Sequence, residues 1–130
     1  MLEKNEAELL VLEKLAKRNL ENTLILNQDL TIDKPFGWVF ICEASENIQH
    51  DNIIVKAQTA FPLIVNKDSH QILANSKGHA AEKFVNLYEQ FLEINKSIND
   101  GWCLTFSHGI GTNRKKKLEK KVKASGFIEF

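Results

Sequence analysis

The stretch Gly37-Trp38-Val39-Phe40-Ile41-Cys42, GWVFIC, has no polar side chain except the indole N–H of its tryptophan. Successive side chains of a strand point to opposite faces of the sheet, so a strand that is apolar at every position is covered on both sides. GWVFIC therefore reads as an interior strand with other elements packed on each face. Just upstream, Pro35 sets a turn and Gly37 frees the backbone where the strand begins. Trp38 and Phe40, with Leu63 and Val65 of a later strand, are expected to hold the sheet together rather than to touch a partner.

The neighbours of GWVFIC continue the β pattern. Residues 23–32, TLILNQDLTI, set β-branched and apolar residues around Asn27-Gln28-Asp29, which reads as one irregular strand or two short ones. Residues 44–56, ASENIQHDNIIVK, begin polar and read as a loop. AFPLIV at 60–65 is a further strand. Its Pro62 cannot donate to a ladder and belongs at a strand start, a bulge or an edge. Asn66-Lys67-Asp68-Ser69 is a turn, and His70 to Ala74 returns as the second arm of a hairpin. A second glycine-tryptophan stretch, GWCLTF at Gly101 to Phe106, reads as another strand. Its surroundings do not match those of GWVFIC, so the likeness is one of strand chemistry and not an internal repeat.

Three segments carry helical periodicity. In residues 6–19, Leu9, Leu12, Leu15 and Ala16, followed by Leu20, form an apolar stripe, with Asn5 as N-cap and Glu8 three positions on. In residues 80–96, Ala81, Phe84, Val85, Tyr88, Phe91 and Leu92 form a wide apolar face. Thr112 caps a basic helix running to about Ser125, with Leu118 and Val122 facing inward and Gly126 placed for a left-handed C-cap. FIEF closes the chain as a short strand. The order α-β-β-β-β-α-β-α-β predicts an α+β fold: an antiparallel sheet flanked by an N-terminal helix, a central helix and a C-terminal basic helix, in one domain over residues 1–130.

The net charge of zero hides an asymmetry. Residues 1–113 hold ten basic and fifteen acidic residues, whereas residues 114–130 hold seven basic and two acidic ones. An acidic body thus carries a basic tail. The start of the chain lacks the basic-then-apolar pattern of a signal peptide, and no apolar run approaches the ~18 residues that span a bilayer. A cytoplasmic protein without a membrane partner is expected. Cys42 and Cys103 lie in apolar strand-like runs and read as buried thiols in a reducing compartment.

Catalytic signatures are missing from the sequence. It contains no GxSxG, HExxH, CxxC or P-loop pattern, and His50, His70, His79 and His108 are scattered. His79 and Glu82 share a helix start, where a solvated polar face is the simpler reading. No catalytic residue, metal site or cofactor is expected, and the chain is not read as an enzyme. Gly109 and Gly111 precede a helix start, where free amides can hold an anion, but no dinucleotide fingerprint follows them. Lys115, Lys116, Lys117, Lys120, Lys121 and Lys123 read first as a solvated helix face, second as a protein-docking surface and third as a nucleic-acid contact. No aromatic residues alternate with the lysines to stack bases.

The central run TIDKPFGWVFICEAS, then AFPLIVNKDSHQIL, then a helix with EKFVNLYEQF, resembles the immunity protein 35 family (YrhB-like domains) over residues 22–92. Gly37, Trp38, Val39 and Phe40 match the family's first core strand. Pro62, Leu63, Ile64, Val65, Asn66 and Lys67 match the second, Ile72 the returning strand and Tyr88 the helix end. The sequence departs from the pattern at Cys42, at Asp68-Ser69 in the turn and at Asn75 to Gly78. Residues 100–130 form an additional β-α-β tail. The resemblance implies a bacterial immunity protein that neutralises a cognate polymorphic or contact-dependent toxin by binding over its active site, a nuclease being one such toxin. A chaperone-like or general protein-interaction module is the alternative. An acidic body can be steered onto a basic cleft, so Glu43, Glu46, His50 and Asp51 are the candidate toxin contacts.

Overall fold

The computed structural model of the protein describes residues 2–50, 53–55, 60–77, 79–99 and 120–130. The chain runs through α1 (Lys4–Lys17), β1 (Leu24–Lys34), β2 (Gly37–Ala44), β3 (Ile48–His50), β4 (Ile53–Val55), β5 (Ala60–Asn66), β6 (Ile72–Asn75), α2 (Ala81–Asn99) and β7 (Phe127–Glu129). Residues 120–124 are also helical. Five strands make one antiparallel sheet in the order β1-β2-β5-β6-β7, and β3 pairs with β4 as a separate hairpin. The fold is α+β.

The apolar run of β2 is explained by the layers on either side of it. Phe40 and Cys42 face one cluster with Ala7, Val11 and Leu15 of α1. Val39 and Ile41 face the opposite cluster with Phe84, Val85, Tyr88 and Leu92 of α2. All four strand residues are at most 5% exposed. Each such side chain contributes roughly 1.5–3 kcal/mol by leaving water, so both faces drive the register. Leu63 and Val65 of β5 join the α1 side, and Ile64 the α2 side. Trp38 is only half-buried, packed against the α1-side cluster with its ring 6.4 Å from that of Phe40.

Gly37 has φ +147, and a Cβ there would collide with the Val65 carbonyl oxygen and lie 2.9 Å from Lys67 N. A glycine at this position lets β2 start hard against β5. Pro62 sits opposite Ile41 inside β5. Among the described residues β6 pairs with β5 only at Ile64 and Val65, so none of them forms a ladder with Pro62 on that side and its missing N–H costs no bond to them.

The hairpin turn forms where expected. Asn66 Oδ1 accepts from the backbone N–H groups of Asp68 at 2.9 Å and Ser69 at 3.0 Å, and His70 takes φ +63. At the far end, Gly126 adopts φ +90 and its N–H donates to the Lys123 carbonyl at 3.0 Å, closing the last helical turn as a C-cap. Val122 is buried there, as expected. Phe127 then packs on three α2 rings, with centroids 4.8 Å from Phe84, 5.6 Å from Phe91 and 6.4 Å from Tyr88.

Three expectations are corrected. The buried stripe of α1 is Ala7, Val11 and Leu15, while Leu9 and Leu12 are 65% and 45% exposed. The smaller residues win because Ala7 and Val11 let the helix approach the sheet closely. The helix also starts earlier than Asn5: Glu3 is the N-cap, and its N–H donates to Glu6 Oε1 at 3.1 Å. It ends at Lys17 with Arg18 as C-cap, and the φ of +57 at Asn19, just beyond, allows Leu20 N to reach Leu15 O at 2.8 Å. Finally, the segment read as a loop holds β3 and β4, paired Ile48 to Val55, Gln49 to Ile54 and His50 to Ile53. The strand expected at Gly101–Phe106, Cys103, His108, Gly109, Gly111, Thr112, Leu118 and lysines 115–117 lie outside the described residues.

Candidate interaction site

Among the described residues β1 is an edge of the main sheet, with β2 as its ladder partner. The ladder runs from Leu24 opposite Ala44 to Asn27 opposite Ile41, breaks, and resumes at Ile32 opposite Val39. Residues 28–31 therefore span a gap filled on β2 by Phe40 alone, which makes a large bulge. Asn27 Oδ1 accepts from Asp29 N at 3.1 Å and starts the bulge as an Asx turn. Gln28 Nε2 donates to Glu8 Oε2 at 3.4 Å and ties it to α1.

The register assigns each β1 side chain to a face. Leu24 and Leu26, opposite Ala44 and Cys42, lie on the α1 side and pack on its cluster. Ile25, Asn27 and Ile32, opposite Glu43, Ile41 and Val39, lie on the α2 side. Helix α2 reaches β1 through Glu89, which pairs with Lys34 Nζ at 3.3 Å. It leaves Ile25 52% and Ile32 38% exposed, and Leu30 on the bulge is 46% exposed. Asn27 Nδ2 donates to Glu43 Oε1 at 3.0 Å, which fixes that carboxylate beside Ile25.

The surroundings are acidic. Between residues 19 and 47 the acids are Glu21, Asp29, Asp33, Glu43 and Glu46, all exposed, and the single base is Lys34, already paired with Glu89. Isolated surface carboxylates contribute little one by one, but five of one sign set up a field that steers a positive partner.

Of the contacts expected from sequence, Glu43 lies at this edge and Glu46 just past the end of β2, whereas His50 belongs to β3 of the separate hairpin and Asp51 lies outside the described residues. Sequence reasoning missed Ile25, Leu30, Ile32, Asp29 and Asp33. The available signal was Leu24-Ile25-Leu26, apolar on both faces in a strand that the structure covers on one face only.

Elsewhere the titratable groups have structural settings. Burial pushes the Cys42 thiol up to about 12, so it is not a nucleophile near neutral pH. His79, just before α2, is held below its ordinary value by desolvation and by Lys83 and Lys77. A cleft of about 370 Å³ is lined by Lys14, His70, Gln71, Ile72, Glu129 and Phe130, and in it Gln71 Nε2 donates to Glu129 Oε1 at 3.0 Å. Among the described residues no three His, Cys, Asp or Glu side chains stand together as a metal site, and no helix is long and apolar enough to cross a membrane. No protein-family profile, curated protein or solved structure matches the chain.

Proposed function

We propose that the chain is a bacterial immunity protein that acts in the cytoplasm by binding a cognate polymorphic or contact-dependent toxin and blocking its active site. It works by binding and not by turnover. The observation that supports this reading is the acidic edge of the sheet, where five exposed carboxylates lie between residues 19 and 47 with one base, itself paired. Such a field speeds encounter with a basic cleft and disfavours partners of the same sign. The sequence likeness of residues 22–92 to the immunity protein 35 family points the same way.

Co-expression tests this reading. The product of the gene adjoining the one for this chain is expressed alone and then with it. Growth arrest by the first, relieved by the second, is expected. A harmless neighbour, or arrest that persists, removes the basis of the proposal. The exposed Leu9 and Leu12 of α1 favour a chaperone-like module as the second reading. That reading predicts binding to many unfolded proteins with no preference for one partner.

A further inference from the structure

We infer that the α2-side strip of β1, formed by Ile25, Asn27 and Ile32 with Leu30 beside it, is the docking surface for a basic segment of the partner protein with an apolar centre. This deepens the neutralisation reading and rests on it for what the partner is. The location of the surface follows from the fold alone.

The argument starts from coverage. The α2-side cluster buries Val39, Ile41, Ile64 and Leu73 of the inner strands, but the same face of the sheet continues onto β1 without cover. Ile25 and Ile32 share that face and are both exposed, although their ladder partners are Glu43 and the fully buried Val39. A single exposed isoleucine is ordinary, whereas two on one face of an edge strand, with an exposed leucine on the bulge between them, form the apolar centre of an interface.

Charge then selects the occupant. Glu43 lies on the strip's own face, Asp29 on the bulge beside Leu30 and Glu46 just past the end of β2, while Asp33, opposite Trp38, lies on the other face of the same edge. Lys34, the single base between residues 19 and 47, is engaged by Glu89. A nucleic acid would bring phosphates against carboxylates. A second copy docked by two-fold symmetry would set the same acidic rim against itself. A segment that carries lysine or arginine around an apolar centre satisfies both features. The bulge at residues 28–31 breaks the straight edge that strand addition requires, so side chains and not a new ladder make the contact.

The test uses the full ¹⁵N-labelled chain and two short synthetic probes, an amphipathic lysine–leucine peptide and its glutamate–leucine counterpart. The lysine peptide is expected to perturb the amides of Ile25, Asn27, Leu30, Ile32 and Glu43, and more weakly as salt rises. Ile25→Lys combined with Ile32→Lys should weaken it at least about tenfold through charge repulsion and the lost apolar contact. Should that double variant fail to fold, Asp29→Asn with Glu43→Gln, which changes only exposed carboxylates, should reduce binding and its salt dependence. The inference is overturned by equal binding of both peptides, by perturbations centred elsewhere, by variants that bind like the parent, or by self-association of the chain through this strip. Growth rescue reads the neutralisation proposal separately. Rescue lost with the strip still binding sinks that proposal alone, and rescue unaffected by the strip variants sinks the docking surface alone.

Discussion

The side-chain amide of Asn66 donates to the Tyr88 hydroxyl at 3.0 Å, and both residues are wholly buried, so one hydrogen bond joins the β5–β6 turn to helix α2. The same Asn66 accepts from Asp68 N and Ser69 N, so one side chain shapes the turn and anchors the helix. Tyr88→Phe should lower stability by about 1–2 kcal/mol, and Asn66→Ala by about 2–4 kcal/mol, because the first removes one buried hydrogen bond and the second removes that bond together with the two that shape the turn. Urea unfolding followed by circular dichroism reads both. Equal, small effects would show that the bond does not organise the hairpin.

Burial ranks the two aromatic residues of β2. Phe40 is fully buried and Trp38 is not. Phe40→Ala should cost about 3–5 kcal/mol and Trp38→Ala about half as much, since the cost follows the cavity left behind. Chemical denaturation of the two variants gives the order. A Trp38 variant that loses more than the Phe40 variant would contradict the packing described here.

Cys42 should be inert in the folded protein. With Cys103→Ser as background, a thiol reagent should leave native Cys42 unmodified at pH 8 and modify it fully after unfolding, because the thiol is buried and raised to about 12. Folding favours the neutral thiol. Its contribution is therefore complete below the ordinary thiol value of 9.0 and is lost as pH rises toward 12. Stoichiometric labelling of native protein would refute this burial.

His79 contributes with the opposite sign. Desolvation, then Lys83 and Lys77, lower its pKa in the folded chain below 6.5. The contribution is present above 6.5 and falls away as pH drops through the folded value, since the unfolded chain takes up the proton first. The imidazole proton signal of His79 should therefore titrate below the value it has in denaturant. Lys83→Gln should move that midpoint upward, and a midpoint above 6.5 would reverse the assignment.

Much of the fold was legible because its signals were local. GWVFIC is apolar at alternating positions for both faces, and the layers on each side of β2 answer to that. Asn66 to Ser69 carried the turn because the asparagine side chain replaces a backbone partner. The rotation of α1 was not legible. Leucines at 9, 12 and 15 look like a stripe, but the tertiary fit to the sheet preferred Ala7 and Val11 beside Leu15. The β3–β4 pair was hidden by its polar residues and its short length. The candidate site was half legible. Glu43 and Glu46 stood out by charge, whereas Ile25 and Ile32 read only as apolar positions of an irregular strand, because only the strand order reveals that β1 is an edge that α2 leaves uncovered.

The central claim is that the edge formed by β1 and the end of β2 grips a basic protein partner, and affinity for the neighbouring gene's product tests it most directly. Titration calorimetry should compare the parent with Glu43→Lys plus Glu46→Lys and with Glu82→Lys on exposed α2 as a control. The edge pair should weaken binding by about 100-fold, within the range measured for close interfacial charges, and the control should bind like the parent. Unchanged affinity in the edge pair, or an equal loss in the control, would contradict the account.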